Sequence, residues 1–199
     1  MQLMKLRWRR LNIKKINYLL IVFTLICAFF KIFSELDEGI VIILKDSSIV
    51  FTIFLPYIVK KYFKLDINDN LIFLWIIFIF LAHYLGVICE FYFKFYAYDK
   101  VTHTFSGVLS GSVALLIIDK IKSKNFWFNI LFILSFTWFC AGMWEVFEYL
   151  CNILFGGDAQ RVVETGVNDT MLDMIVAFFG SLFVCLLYYV NCVKEKELL

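Results

Sequence analysis

Proline is almost missing and glycine is scarce, with Pro 1 and Gly 9 in 199 residues. That excludes collagen-like, linker-rich and proline-rich disordered chains, all of which need these residues in quantity. Charge is thin as well, at 18%, and histidine is down to 2 residues. A formal net charge of +2 offers nothing to nucleic acid, so no nucleic-acid partner is expected. The 6 cysteines are scattered without a Cys-x-x-Cys pair and read as small buried hydrophobes. Only Cys89 and Cys151 share an outer edge where a disulfide is allowed. Apolar surface is what abounds: 62% of the chain is hydrophobic, with 24 Phe and a mean hydropathy of +0.84. An ordinary globular domain has roughly 45 to 50% apolar residues, so the first partner of this chain is a lipid bilayer.

A crossing takes about 20 apolar residues, and the chain has room for about six with little left over for a soluble domain. The expected fold is therefore all-α: a polytopic integral membrane protein, one domain over residues 1–199, with a bundle of about six transmembrane helices. The predicted spans are 16–33, 47–63, 71–90, 100–119, 126–150 and 171–190. The first reads as an uncleaved anchor, because no small-residue cleavage site follows Phe30. In the second, Lys45, Asp46, Ser47 and Ser48 interrupt the apolar run, which predicts an interfacial stretch and then a helix capped near Asp46 or Ser47. Helical through Phe155, the fifth would measure roughly 45 Å at about 1.5 Å per residue and project beyond a hydrocarbon core of about 30 Å. Gly107 and Gly111 in the fourth form a small-xxx-small pair for close helix packing.

Lysine and arginine fall on one side if six spans alternate: the basic run within residues 1–15, then Lys60, Lys61 and Lys64, then Lys120, Lys122 and Lys124. By the positive-inside rule this side is cytoplasmic, with both termini on it, in a multi-pass cell-membrane protein. The other side receives the loop 151–170, the longest connection without a structural reason.

In so apolar a chain the ionisable residues at the membrane edge are the informative ones. Asp99 and His103 open the fourth span at i, i+4. Glu145 and Glu148 sit in the outer part of the fifth at i, i+3, and Asp169 and Asp173 open the sixth at i, i+4. Each spacing puts both members on one helix face. Counting the helical rise from both sides brings all three pairs to one level, with His103 and Asp173 roughly 5 Å inside the boundary. Asp99 and Asp169 also suit helix N-caps, and His103 suits a neighbouring helix, so each has an ordinary structural reading beside the functional one. The glutamates have less excuse, in an apolar context toward the C-terminal end of their helix. Five carboxylates at one level need an offset from shared protons, from Lys100 and Arg161, or from a bound ion. Oxygens with one imidazole on facing helices suit a divalent metal ion without naming it. The expected ligands are thus Asp99, His103, Glu145, Glu148, Asp169 and Asp173, with Arg161, Lys100 and Gln160 placed to meet an anionic substrate. Two histidines are too few for a histidine-box desaturase. Gly156, Gly157 and Asp158 do not make a Gly-x-Gly-Asp protease motif, and Ser106 and Ser110 lack a rhomboid-type setting. His83, in mid-span, reads as an interhelical hydrogen-bonding residue, and Glu90 as an outside candidate for the cluster.

The order of these motifs resembles the YjdF-like family of uncharacterised bacterial inner-membrane proteins: Tyr98-Asp99-Lys100-Val101-Thr102-His103, then Trp144-Glu145-Val146-Phe147-Glu148-Tyr149, then Asp169-Thr170-Met171-Leu172-Asp173-Met174 and Gly180. The likeness spans about residues 70–185. Thr104 stands where the family often has Phe, and Glu164 to Asn168 replaces a Gln-Gly-Asp run. More distantly, the Asp-Lys-x-x-His opening and the Asp-led last helix are similar to the VanZ-like proteins. The resemblance implies a membrane protein without a known reaction. A metal-dependent enzyme acting on a lipid or envelope-precursor substrate is one expectation. An ion- or proton-coupled transporter and a non-catalytic envelope subunit are the alternatives.

Overall fold

The computed structural model describes residues 12–34, 39–156, 158, 160 and 162–197. The basic residues before Asn12, the acidic residues 35–38 and Arg161 lie outside them. Every element described is helical: α1 (Ile13–Ser34), α2 (Ile40–Phe63), α3 (Asp69–Ile79) running on as a π-helical stretch (Phe80–Ile88), α4 (Phe91–Lys94), α5 (Tyr98–Ile121), α6 (Phe126–Phe155), α7 (Val162–Thr165) and α8 (Asn168–Glu197). Five segments are long and apolar enough to cross a membrane: Ile13–Ser34, Asp69–Ile88, Tyr98–Ile121, Phe126–Phe155 and Asn168–Lys194. The protein is an all-α polytopic membrane protein.

The expected second span needs correcting in its start. Helix α2 begins at Ile40, after Gly39 at φ 105, and runs unbroken through Asp46 and Ser47. Asp46 is buried inside the helix, six residues past its start, and so is not its N-cap. With Lys45, Asp46, Lys60 and Lys61 on it, α2 is not among the five apolar segments.

The chain divides into two compact units, Gln2–Tyr98 and Asp99–Leu199. In the first, polar contacts tie α1, α2 and α3 together. Pro56, the one proline, lies inside α2 and has no N–H to give the Thr52 carbonyl. Trp75 Nε1 donates to that carbonyl instead, at 2.8 Å, so the freed acceptor is answered from the neighbouring helix, as lipid surroundings require. Asn17 Nδ2 donates to the Asp69 carbonyl at 2.9 Å, and Asn68 caps α3 through its side chain and Leu71 N. His83 shares hydrogen bonds with Ser48 Oγ (3.5 Å) and Thr52 Oγ1 (3.4 Å), matching its interhelical reading.

The second unit is built on α5, α6 and α8. Gly107 and Gly180 set its geometry. A Cβ on Gly107 would run into the Ala177 carbonyl, and one on Gly180 into the Thr104 carbonyl, so α5 and α8 cross backbone against backbone. Gly111 faces Val184 and Ile133, where all three helices meet. Around that point Ala114, Ile118, Ile133 and Val184 form a buried core. Helix α6 runs on to Phe155, five residues beyond the span read as 126–150, is capped at its start by Asn125 on Phe128 N, and ends at Gly156 with φ 76.

Candidate functional site

Gly107 lies one turn after His103, and Ala177 one turn after Asp173. The close crossing of α5 and α8 therefore brings the first turns of both helices side by side, with Asp99 and Asp169 in them. Both N-termini turn their partial positive charge toward these aspartates.

Lys100 sits at the centre. Its ammonium donates to Asp169 Oδ1 at 2.5 Å, to Asp173 Oδ1 at 2.7 Å and to Asp99 Oδ2 at 3.1 Å. His103 Nε2 lies 3.4 Å from Asp99 Oδ1 and 3.8 Å from Asp173 Oδ1. Asp173 Oδ1 is thus shared between the lysine and the imidazole. One donor atom from each of Asp99, His103 and Asp173 falls within 4.8 Å of the others, a spacing that can hold a metal ion. Asp173 is 2% exposed and Asp169 6%.

The third helix adds Glu145, 5% exposed, with both carboxylate oxygens buried, no well-formed hydrogen bond to them among the described residues, and Gln160 and Thr170 as their polar neighbours. It lies within electrostatic reach of His103 and Asp99. Because α6 continues for ten residues past Glu145, its C-terminal dipole is too distant to matter there; burial makes this carboxylate costly. Glu148 is half-buried, accepts from Trp144 Nε1 at 2.7 Å, and lies within electrostatic reach of His103, Asp99 and Glu145.

The expected ligands thus fall into two groups. Asp99, His103, Asp169 and Asp173 meet around Lys100, while Glu145 and Glu148 flank them from α6. Lys100, read as a substrate residue, is engaged by three aspartates. Gln160, read likewise, is buried and donates to the Glu145 carbonyl (3.1 Å) and to Thr170 Oγ1 (3.5 Å), which fastens the loop over α6 and α8. Arg161 lies outside the described residues. Asp158 accepts from Val162 N (2.7 Å) and Val163 N (3.0 Å), so its carboxylate holds the start of α7. Glu90 pairs with Lys94 at 3.5 Å within the first unit. All six cysteines are free.

The sequence reading passed over a row of hydroxyls below His103. Ser106 Oγ donates to the His103 carbonyl, Ser110 Oγ to the Ser106 carbonyl, and Ser110 Oγ meets Thr137 Oγ1 on α6 at 3.2 Å. The four-residue spacing Asn129, Ile133, Thr137, Ala141, Glu145, all buried, was the available signal. The row stops at Ala114, Ile133 and Val184, which are fully or almost fully buried. Beyond that layer Asn129 Nδ2 donates to Tyr188 Oη at 2.8 Å.

No curated protein and no solved structure matches this chain. The more distant VanZ-like likeness finds no support. Residues 15–194 match the family described as "Predicted membrane protein (DUF2238)", the one to which the YjdF-like motif order points, and the chain belongs to that family.

Proposed function

We propose that this protein is a metal-dependent membrane enzyme that acts on a phosphate or ester group of a lipid-linked or envelope-precursor substrate. The observation that carries the reading is the donor set Asp99, His103 and Asp173, with the buried Glu145, whose oxygens make no well-formed hydrogen bond among the described residues, beside it. Five carboxylates here face one lysine and one imidazole among the described residues, which leaves an excess of negative charge that a divalent cation suits. A hard or borderline ion at this place would act as a Lewis acid toward an anionic ester. The layer of Ala114, Ile133 and Val184 beneath favours a site served from one side over a transport path through the unit. With α2 counted as a sixth crossing, both termini are cytoplasmic and the acidic cluster lies at the outer face of the cell membrane.

Elemental analysis of detergent-purified protein tests this reading. About one divalent ion per chain is expected to survive metal-free buffers, and Asp173→Asn to lose it. Wild type free of metal after incubation with Mn²⁺, Zn²⁺ or Mg²⁺ would end the reading. In a second reading the cluster belongs to a non-catalytic membrane subunit. One observation favours it: Lys100 alone already ties Asp99, Asp169 and Asp173 together. Under that reading the variants lose thermal stability and no metal is ever found.

A further inference from the structure

Lys100 poses a question that the donor set alone does not answer. Its ammonium bonds Asp173 Oδ1 at 2.7 Å, the same oxygen that lies 3.8 Å from His103 Nε2. It also bonds Asp99 through Oδ2, leaving Oδ1 toward His103. Two of the three acidic and imidazole donors are therefore already engaged by a cation that belongs to the chain. A divalent ion among Asp99, His103 and Asp173 would have to share those two carboxylates with a neighbouring positive charge. In a half-buried setting such charges repel strongly, because little water screens them. Glu145 meanwhile lies beside the cluster with its carboxylate buried, neighboured by the neutral Gln160 and Thr170 and not paired with Lys100, so the lysine does not exhaust the acidic groups.

We infer that Lys100 is a built-in competitor of the metal: its ammonium and a divalent cation exclude one another at Asp173, so that ion binding releases the lysine from Asp169 and Asp173. The inference rests on the cation site proposed above and assigns its regulation. The lysine keeps the aspartates together while the site waits, and raises the ion concentration needed to fill it. Released, the Lys100 side chain becomes a free cation at the mouth of the site.

The experiment uses the full chain in detergent micelles, with Mn²⁺ as the probe and electron paramagnetic resonance as the direct readout. Lys100→Met is expected to bind Mn²⁺ at least tenfold more tightly than wild type, and Lys100→Arg, which keeps the charge, to bind no more tightly than wild type. Equal or weaker binding by Lys100→Met, with wild type still binding, overturns the inference and leaves the cation site standing. Absence of binding in wild type and Lys100→Met alike overturns both. If Lys100→Met fails to fold, wild type decides by itself: saturating Mn²⁺ should raise the labelling rate of Lys100 by an amine-reactive reagent severalfold, read by mass spectrometry. Unchanged or slower labelling overturns the inference.

Discussion

Asn17, Thr24, Thr52 and His83 in the first unit and Asp99, Lys100, His103, Glu145 and Asp173 in the second are all polar groups set between apolar helices, yet they are managed differently. The first unit uses neutral groups. His83 rests against two hydroxyls, Trp75 answers the carbonyl that Pro56 leaves free, and Asn17 reaches the backbone of α3. Asp46 is its one buried carboxylate among the described residues. The second unit gathers charge at the starts of α5 and α8 and keeps neutral hydroxyls and amides for the depth below. Neutral hydrogen bonds inside a bilayer are worth about 0.6 kcal/mol on average and lock helices without inviting anything in. Buried charge costs several kcal/mol per ion unless it is matched, which is why a cluster of it points to chemistry where a row of hydroxyls points to packing.

That contrast can be broken at several points. Gly180→Leu should do the most damage, since its side chain would meet the Thr104 backbone, which cannot move aside. Overpacking of this kind costs about 1 to 3 kcal/mol or more, and the expected outcome is loss of the monodisperse peak in size-exclusion chromatography. A well-folded Gly180→Leu would mean that the backbone crossing does not hold the aspartates. Next comes Asp173→Ala, which removes the oxygen shared by Lys100 and His103. Mn²⁺ affinity should fall about a hundredfold, roughly 2.8 kcal/mol at about 1.4 kcal/mol per decade, as measured by paramagnetic resonance. His83→Leu should cost about 1 kcal/mol in thermal denaturation, in the range of intramembrane hydrogen bonds, and leave Mn²⁺ binding unchanged. If it changed binding as much as Asp173→Ala, the division of labour between the two units would be wrong. The smallest effect is expected from Trp144→Phe. It removes one hydrogen bond to half-buried Glu148 and should shift Mn²⁺ affinity no more than about threefold, within a typical 0.5 to 1.5 kcal/mol.

Hydrophobic runs of the right length made the helices legible, and the three spaced acidic pairs made the cluster legible, because both signals are local. The 30 residues of α6 were readable for the same reason. The start of α2 was not: Asp46 looks like a cap in sequence, and only burial against neighbouring helices lets a helix carry it inside. Lys100 was legible as a counter-charge to the carboxylates, but its partners were not. Its neighbours in sequence name Asp99, whereas Asp169 and Asp173 reach it only because Gly107 and Gly180 allow two helices to touch. The π-helical stretch Phe80–Ile88 carries no proline or charge that would have announced it. The hydroxyls Ser110 and Thr137 were passed over because serine and threonine are unremarkable until they face one another.

The packed layer of Ala114, Ile133 and Val184 has one more consequence. Aliphatic side chains from α5, α6 and α8 close against one another there, so hydrating the acidic cluster from that end would require prising three helices apart.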